Sequence, residues 1–294
     1  MRVMILGAGG MLGHRLWLSL KDGHDAIAVL RQDPFSRPWG ALFDPDRTVS
    51  GADLRDDAAL DDLFRRVRPE AVVNAAGLIK QRPDGQDPLA AIAVNAALPH
   101  RLAARCRASG ARLIHVSTDC VFSGRRGGST EDDLPDPPDV YGRSKALGEV
   151  AGPGMLTLRT SIVGRELEGG HGLLEWLLSR RGGRVQGYRR SRFSGLTTLE
   201  LAATIRALLE SRPDLDGLWH VAGDPVDKLA LLEMIREAFA APVEIDPADG
   251  PAIDRSLDDA RFRAETGIPK PGWPAMLARA AADPVPYDAI RGTT

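Results

Sequence analysis

Tyr141 and Lys145 stand four positions apart in a stretch, Val140 to Val150, that the sequence predicts to be helical. Residues at this spacing project from the same helix face, so the two side chains are expected to be neighbours. A tyrosine hydroxyl, with a pKa of about 10, is a poor proton donor or acceptor at neutral pH, but a nearby ammonium group lowers that pKa. The pair could therefore transfer a proton. Taken alone, the pattern favours a tyrosine beside a lysine on a helix surface.

Thr118 is the third residue whose position suggests chemistry. It follows the predicted strand Leu113–Ser117 and precedes Tyr141 by 23 positions, enough for a loop that returns the chain to the start of the next helix. Ligands of open α/β sheets lie outside the carboxyl ends of the strands, so Thr118 is placed to hydrogen-bond a substrate oxygen. The alternative is that Thr118 only caps the end of the strand.

A glycine-rich segment, Gly7–Gly13, follows a short apolar strand and precedes a predicted helix. Its glycines at 7, 10 and 13 are spaced three apart, and Leu12 stands where the six-residue dinucleotide template has its third glycine. Such glycines let backbone N–H groups approach a pyrophosphate, to which the helix N-terminus adds a partial positive charge. An ordinary strand–helix turn is the alternative. The residues expected to contact a dinucleotide here are Gly7, Gly10, Met11, Leu12 and Gly13.

The residues after the second predicted strand, Ala26–Leu30, indicate which dinucleotide binds. An acidic residue there binds the ribose diol of NAD, whereas an arginine accommodates the 2′-phosphate of NADP. Arg31 comes first after the strand and Asp33 two residues later. We therefore expect NADPH with Arg31 at the 2′-phosphate; the alternatives are NADH held by Asp33 and a solvated Arg31. The positive charge of a bound nicotinamide would lower the pKa of Tyr141 further, and Lys145 would hold the nicotinamide ribose.

Alternating strands and helices position these residues. The predicted strands are Arg2–Leu6, Ala26–Leu30, Ala71–Asn74, Leu113–Ser117 and Met155–Arg159. The predicted helices between them are Met11–Leu20, Asp57–Val67, Pro88 to about Ala108 and Val140–Val150. Pro99 is expected to kink or divide the third of these helices. Continuous apolar strands alternating with helices predict an α/β fold, a Rossmann-type doubly wound parallel sheet.

The regular alternation breaks after about Val163, where a segment rich in glycine and arginine begins. Later elements are predicted at Leu173–Leu178, Thr197–Leu209, Leu218–Val221 and Leu229–Phe239, followed by a Pro/Asp-rich stretch, Pro242–Pro251. We expect a dinucleotide-binding domain over residues 1–165, joined again by about 197–222. A smaller C-terminal α/β lobe that binds the substrate is expected over residues 166–196 and 223–294.

Composition argues against several classes of function. The 294 residues carry a formal net charge of −2, so no basic field attracts nucleic acid. No apolar run approaches the ~20 residues that cross a bilayer, and no signal peptide is apparent, so we expect a cytoplasmic protein. Cys106 and Cys120 lack metal-ligand spacing and are expected to be unpaired thiols, with no bound metal. A homodimer is left open.

Together these residues resemble the extended short-chain dehydrogenase/reductase superfamily and, within it, the dTDP-4-dehydrorhamnose reductase family. The resemblance covers nearly the whole chain. The matching segments are Gly7–Gly13, Asn74–Gly77, Val94–Asn95, Ser117–Phe122, Tyr141–Glu149, Leu158–Thr160, Asp254–Asp258 and Trp273.

The resemblance implies that a hydride passes from the nicotinamide to C4 of a 4-keto-6-deoxy sugar nucleotide. It also implies that Tyr141 protonates the forming alkoxide, that Lys145 tunes Tyr141 and holds the ribose, and that Thr118 orients the carbonyl. The other implied cofactor contacts are Asp53 and Leu54 at the adenine, Ala75, Ala76 and Gly77 along the cofactor, and Asn95 from the helix behind.

Some segments depart from the family pattern. Cys120 stands where the family commonly has tyrosine, and Arg192–Thr198 replaces an Asp-Gln pair followed by Gly and Pro-Thr. Together with Gly77–Gln81, these features resemble a side branch of enzymes of surface polysaccharide biosynthesis. The substrate is then dTDP-4-dehydrorhamnose or a UDP-linked 2-acetamido-2,6-dideoxy-4-keto sugar. The residues expected to contact the diphosphate or the sugar, each of which is otherwise a surface charge, are Lys80, Arg159, Arg189 and Arg192.

Two other functions remain as alternatives. One is a sugar-nucleotide epimerase or dehydratase with tightly bound NAD. A dehydratase ordinarily has an acidic residue after the threonine and then a glutamate, but here Cys120 follows Asp119. The other is an NADP-binding regulatory subunit without turnover. The intact set of Thr118, Tyr141 and Lys145 argues against it.

Overall fold

The computed structural model of the protein describes residues 1–80 and 87–291. The strands are β1 (Arg2–Leu6), β2 (Asp25–Leu30), β3 (Thr48–Ser50), β4 (Ala71–Asn74), β5 (Arg112–Val116), β6 (Met155–Arg159), β7 (Ile162–Val163), β8 (Arg184–Tyr188), β9 (Ser191–Phe193), β10 (Leu196–Thr197), β11 (Gly217–His220), β12 (Val226–Asp227), β13 (Glu244–Ala248) and β14 (Ile253–Arg255). Within the described ranges, seven parallel strands form one sheet in the order β11-β6-β5-β4-β1-β2-β3. The predicted Rossmann-type α/β fold is confirmed.

The predicted helices are observed with differences at their ends and in one long stretch, and the three helices after residue 259 were not predicted. The helices are α1 (Gly13–Leu20), α2 (Asp57–Val67), α3 (Pro88–Ala91), α4 (Leu98–Ser109), α5 (Val140–Leu147), α6 (Leu173–Leu178), α7 (Thr198–Ser211), α8 (Lys228–Ala238), α9 (Ala260–Thr266), α10 (Trp273–Ala281) and α11 (Tyr287–Ile290). A π-helical segment, Ile92–Ala97, separates α3 from α4. Pro99 lies in the first turn of α4, where its missing N–H breaks the α-helical hydrogen-bond pattern, so the expected division of this helix is observed.

Helices cover both faces of the large sheet because its strands alternate between two cores. Val3 and Ile5 of β1 pack in one core with Trp17 of α1. Met4 of the same strand packs in the other core with Leu60 of α2. All five side chains are fully buried. A strand that is apolar on both sides is therefore stabilised by helices above and below, as the continuous apolar runs predicted.

Eight of the strands given above were not predicted, among them β3 and β13. The short strand β3 extends the sheet beyond β2, with Val29 opposite Val49. The strand β13 lies inside the Pro/Asp-rich stretch and pairs in parallel with β8, so that Glu244 is opposite Arg184. Proline and aspartate are poor strand formers, so the composition of this stretch did not predict β13, which is stabilised by its distant partner β8.

Strands β12, β9 and β14 form a separate three-stranded sheet in the C-terminal third, while β11 returns to the large sheet beside β6. A bridge between Ser129 and Leu257 brings this third of the chain against the loop after β5. The expected boundaries of the two lobes stay a prediction. None of the helices in residues 1–80 and 87–291 combines the length and apolar character that a bilayer crossing requires.

Candidate active site

The carboxyl end of β1 turns sharply into α1 through the glycine segment. Gly7 has a φ of 77°, and its carbonyl accepts a hydrogen bond from the N–H of Gly10 at 2.9 Å. A Cβ at Gly7 would lie 2.8 Å from the backbone of Ala76, and one at Gly13 would collide with the Gly7 carbonyl. Glycine is therefore required at both positions. The bare backbone that results fits the close approach of a pyrophosphate.

The two apolar side chains of this segment anchor the turn. Leu12 is buried in the core with α1, so only its backbone is available to a ligand. Met11 is half-buried, and its Cε lies against Gly172. The predicted contacts of Gly10, Met11 and Leu12 with a dinucleotide must therefore be made largely by backbone N–H groups.

The loop after β2 separates the roles of its two charged residues. Asp33 caps a short 3-10 helix, where its Oδ1 accepts a hydrogen bond from the N–H of Phe35 at 3.0 Å. Arg31 is exposed at the end of the strand. A second arginine, Arg37, which the sequence analysis did not single out, donates to the side chain of Gln32 at 3.0 Å. This loop offers arginines rather than a free carboxylate, which fits a phosphate better than a ribose diol.

The proposed adenine contacts lie after β3. Asp53 accepts side-chain hydrogen bonds from Arg55 at 2.8 and 2.9 Å, which lower the pKa of Asp53 to about 2. Leu54 is half-buried against the core that contains α2. The Asp53 carboxylate is thus engaged within the chain, and the contact of these two residues with adenine stays a prediction.

Asn95 supports the wall of the site from behind. Its Oδ1 accepts the N–H of Leu78 at 2.9 Å, and its Nδ2 donates to the carbonyl of Leu78 at 3.0 Å and to Ser144 Oγ at 3.2 Å. The side chain is fully buried. Asn95 therefore fixes the segment after Gly77 against α5. This corrects its assignment as a direct cofactor contact, because both ends of the amide are used within the protein.

Thr118 and Tyr141 meet at the carboxyl end of β5. Asp139 caps α5 by accepting the N–H of Gly142 at 2.8 Å, which fixes the first turn of the helix that carries Tyr141. Thr118 Oγ1 accepts the N–H of Cys120 at 3.1 Å and donates to Asp119 Oδ1 at 3.1 Å, and the Thr118 side chain acts on the Tyr141 phenol, whose pKa it lowers. The sequence left two alternatives for Thr118. The structure shows a capping role, at the start of the short helical turn Asp119–Val121, and a hydrogen bond from Thr118 to a substrate oxygen stays a prediction.

Lys145 lies one turn further along α5. Its side chain is buried, and Nζ donates a hydrogen bond to the carbonyl of Val116 at 2.6 Å. Burial lowers the pKa of Lys145 to about 8, while the carboxylate of Glu149 acts in the opposite direction. The ammonium therefore persists at neutral pH.

The pKa of Tyr141 moves in the direction opposite to the one expected. Burial raises this pKa, the nearby Cys120 and Asp119 add to the effect, and the hydrogen bond with Thr118 opposes it. The expectation that the protein lowers the pKa of Tyr141 is therefore wrong, because desolvation by burial exceeds the opposing effect of the hydrogen bond with Thr118. Tyr141 therefore stays protonated at neutral pH and can give its proton only to a stronger base, such as a forming alkoxide.

Arg159 is an internal residue, contrary to its expected role at the substrate. Its guanidinium forms a bidentate ion pair with Glu149, with both N–O distances at 2.8 Å, and only 4% of the side chain is exposed. A third contact joins Arg159 to His220 of β11 at 3.3 Å. Glu149 also accepts a hydrogen bond from Ser117 at 2.7 Å. The expected substrate contact is corrected, because the charge of Arg159 is already neutralised inside the fold.

Three cations act electrostatically on Cys120 and Asp119. Lys80 and Arg255 act electrostatically on Cys120 and on the buried Asp119, and Lys228 interacts with the same two residues. Burial, reinforced by the two like charges, lowers the pKa of Lys228. Three cations beside a single buried carboxylate favour an anionic ligand. We call Lys80, Lys228 and Arg255 the cation cluster.

Sequence reasoning identified this cluster only in part. Lys80 was expected to contact the substrate, and Arg255 belongs to a matching segment but had no role. Lys228, the first residue of α8, was missed because no motif marks it. Gln81, quoted in the segment after Gly77, lies outside the described residues.

Arg192 is placed differently from the cluster. It is exposed on β9, where the register sets it between Asp227 of β12 and Asp254 of β14. Among the described residues, no hydrogen bond or ion pair connects it to Thr118 or Tyr141. Arg189 is likewise exposed. A substrate contact by either arginine stays a prediction.

The two cysteines are free thiols. Burial raises the pKa of Cys106 and of Cys120 to about 12, so both remain protonated at neutral pH. In the ranges that the structure covers, no group of three or more His, Cys, Asp or Glu side chains is arranged to hold a metal ion.

Comparison with known proteins adds a family and several relatives. The family model described as the RmlD substrate binding domain matches residues 1–283. The dTDP-4-dehydrorhamnose reductase of Mycobacterium tuberculosis (strain CDC 1551 / Oshkosh) is 36% identical over 156 residues, spanning 51% of this chain and 45% of that protein. The match thus spans about half the length of that relative. Methionine adenosyltransferase 2 subunit beta of Mus musculus is 28% identical over 313 residues, spanning 94% of this chain and 88% of that protein.

Solved structures show the same architecture. A hypothetical dTDP-4-dehydrorhamnose reductase from Sulfolobus tokodaii superposes with a TM-score of 0.76 at 28% identity, covering 90% of this chain and 94% of that one. The dTDP-4-dehydrorhamnose reductase of Bacillus anthracis, solved in complex with NADP, has a TM-score of 0.77 at 21% identity, covering 95% and 98%. At 21% identity, the likeness to the Bacillus anthracis structure concerns the fold alone.

Proposed function

Since this chain belongs to the RmlD substrate binding domain family, we propose that it is an NADPH-dependent reductase of a 4-keto-6-deoxy sugar nucleotide. One observation carries the proposal: Tyr141 meets Thr118 at the carboxyl end of β5, with the buried Lys145 one turn away. The name of the Mycobacterium tuberculosis relative supports the reaction, and the NADP in the Bacillus anthracis structure supports the cofactor.

The residues that would hold the cofactor follow from the two loops after β1 and β2. NADPH supplies the hydride that reduces the keto carbon. Gly7 and Gly13 expose backbone to its pyrophosphate, and Arg31 lies where a 2′-phosphate is expected. One oxygen of Asp33 is used in capping the turn after β2, while Arg31 comes first after the strand, and this order favours NADPH. Lys145 would hold the nicotinamide ribose.

Tyr141 would act as the general acid. Its hydroxyl gives a proton to the carbonyl oxygen as that oxygen becomes an alkoxide, so the ketone gains one hydride and one proton and becomes an alcohol. The raised pKa keeps this proton on Tyr141 until negative charge develops on the substrate. Thr118 would orient the carbonyl by a hydrogen bond. Asn95 and Glu149 position these groups without touching the substrate.

The cation cluster supports an anionic substrate. A nucleotide sugar carries two negative phosphates close to the sugar ring, and Lys80, Lys228 and Arg255 offer three positive side chains beside the catalytic pair. We assign the diphosphate to this cluster. The sugar is that of dTDP-4-dehydrorhamnose or a UDP-linked 2-acetamido analogue. We place the reaction in the cytoplasm, in the synthesis of surface polysaccharides.

A panel of dTDP- and UDP-linked 4-keto-6-deoxy sugars tests this function. The absorbance of NADPH should fall when the correct sugar nucleotide is added, and the product should carry one new hydroxyl at C4. The same sugars without the nucleotide serve as controls and should not be reduced. The proposal is refuted if NADPH binds but no member of the panel is reduced.

A second function is favoured by one comparison. The Mus musculus relative is named as a subunit of another enzyme, and its match spans 94% of this chain. A chain used in this way would bind NADP without turnover and associate with a separate catalytic protein. The panel separates the two functions, because a regulatory subunit would bind the dinucleotide and leave every sugar unchanged.

A further inference from the structure

His14 connects the glycine segment to the C-terminal end of the described chain. It is the second residue of α1, and its ring is fully buried. Its Nδ1 lies 2.8 Å from the carbonyl oxygen of Gly10, and its Nε2 lies 2.8 Å from the hydroxyl of Tyr287 in α11. One side chain therefore joins two segments that are 273 positions apart.

The chemistry of the partners fixes where each proton lies. A carbonyl oxygen can only accept, so Nδ1 of His14 must carry a proton and donate it to Gly10. The neutral ring then has only Nε2 as an acceptor, and it takes the hydroxyl proton of Tyr287. That hydroxyl is closer to Nε2, at 2.8 Å, than to the carboxylate of Asp283, at 3.4 Å. Burial supports this state by lowering the pKa of His14 to about 4.

Charged groups from two elements hold the phenol in place. Arg15 forms an ion pair with Asp283 at 2.8 Å and also reaches the Tyr287 hydroxyl at 3.4 Å. Arg165 lies over the Tyr287 ring, with its guanidinium carbon 4.8 Å from the ring centre. Tyr287 is thus fixed from both sides and can in turn fix the ring of His14.

We propose that Tyr287, acting through His14, is a positioning residue for the loop that binds the cofactor pyrophosphate. The peptide that joins Gly10 to Met11 is planar and trans, so its C=O and N–H point in opposite directions. Holding the Gly10 carbonyl towards α1 therefore aims the N–H of Met11 away from the helix, towards the ligand side of the turn. The Gly10 carbonyl also accepts the backbone N–H of His14 at 3.1 Å, and Tyr287 fixes the ring orientation in which Nδ1 adds a second hydrogen bond to it.

The inference rests on the dinucleotide binding of the proposed function, but not on its reduction chemistry. Tyr287→Phe removes only the hydroxyl. Without it, Nε2 of His14 loses the hydrogen bond that orients the ring, and the bond from Nδ1 to Gly10 weakens. We expect the Kd of NADPH to rise about three- to tenfold, the effect of one buried hydrogen bond, while kcat at saturating NADPH stays close to that of the wild type.

Two matched variants separate positioning from general stability. Tyr188→Phe removes a phenol hydroxyl from β8, away from the glycine segment, and should leave the Kd unchanged. Asp283→Asn weakens the ion pair with Arg15 but leaves the bond between His14 and Tyr287, and should also leave it unchanged. In a protein that already carries His14→Phe, adding Tyr287→Phe should not raise the Kd of NADPH further, because the hydrogen bonds of the His14 ring are already absent.

The measurements are NADPH titrations by fluorescence and melting temperatures of each variant. A Tyr287→Phe protein with a lower Tm but an unchanged Kd overturns the proposal, as does an equal loss of affinity in Asp283→Asn. A wild type that binds no dinucleotide overturns this inference and the proposed function together. A wild type that binds NADPH tightly but reduces no sugar, with the Tyr287→Phe effect present, contradicts only the proposed function.

Discussion

The ion pair between Glu149 and Arg159 gives the sharpest prediction about stability. Both side chains are nearly buried, with 10% of Glu149 and 4% of Arg159 exposed, so solvent screens the pair little. Glu149 accepts two hydrogen bonds from Arg159 and one from Ser117. Glu149→Gln keeps the shape but removes the charge, and sets an amide N–H₂ against a guanidinium. Arg159 is then a buried charge without a counter-charge.

We expect Glu149→Gln to lower the free energy of unfolding by about 3 kcal/mol. This value is at the low end of the ~3–5 kcal/mol lost when one partner of a buried ion pair is removed, because the Gln oxygen keeps some of the hydrogen bonds. The double variant Glu149→Gln with Arg159→Met should be more stable than the single one, because no unpaired charge remains. Asp25→Asn is the matched control. Asp25 pairs with Arg2 on the surface, with 43% and 45% exposed, and should lose less than about 1 kcal/mol.

Urea unfolding followed by circular dichroism measures all three variants under the same conditions. The free energies are taken from the midpoints and a shared slope. The reasoning is refuted if Glu149→Gln unfolds at the same urea concentration as Asp25→Asn, or if the double variant is less stable than Glu149→Gln alone.

Three further predictions concern activity. The ammonium of Lys145, with a pKa of about 8, is lost as the pH rises, so kcat should fall above about pH 8. Because Glu149 raises the pKa of Lys145, Glu149→Gln should move that fall to lower pH. A pH–rate profile that is flat to pH 10 contradicts this prediction. Arg31→Ala should lower kcat/KM with NADPH about 10- to 100-fold and leave NADH unaffected, and an equal loss with both cofactors contradicts the role of Arg31. Lys228→Ala should raise the KM of the sugar nucleotide about tenfold with little change in kcat, and initial-rate kinetics that show an unchanged KM contradict the cation cluster.

The residues that sequence analysis placed correctly are those whose roles depend on local spacing. Gly7 and Gly13 are required by one tight turn, and a turn is encoded within a few positions. Tyr141 and Lys145 share a helix face because they are four residues apart. The proximity of Thr118 to Tyr141 could be predicted only from the rule that functional groups gather at the carboxyl ends of parallel strands, and this rule was sufficient.

The residues that were misassigned or missed depend on partners far away in the sequence. Arg159 was expected to contact the diphosphate or the sugar, yet its charge is paired with Glu149 and it also contacts His220 of β11. Lys228 acts on Cys120 and Asp119 from the start of α8, an element distant from both in the sequence. The predicted direction of the Tyr141 pKa shift was wrong, because the sequence reveals a neighbouring charge more readily than the depth of burial.

The most direct test of the account is Tyr141→Phe, measured with the sugar nucleotide that the panel identifies. Loss of the general acid should lower kcat about 10²- to 10⁴-fold while the Kd of NADPH stays unchanged, because the phenol donates a proton and Lys145 still holds the ribose. Tyr188→Phe should keep full activity. Normal turnover by Tyr141→Phe would contradict the proposed mechanism.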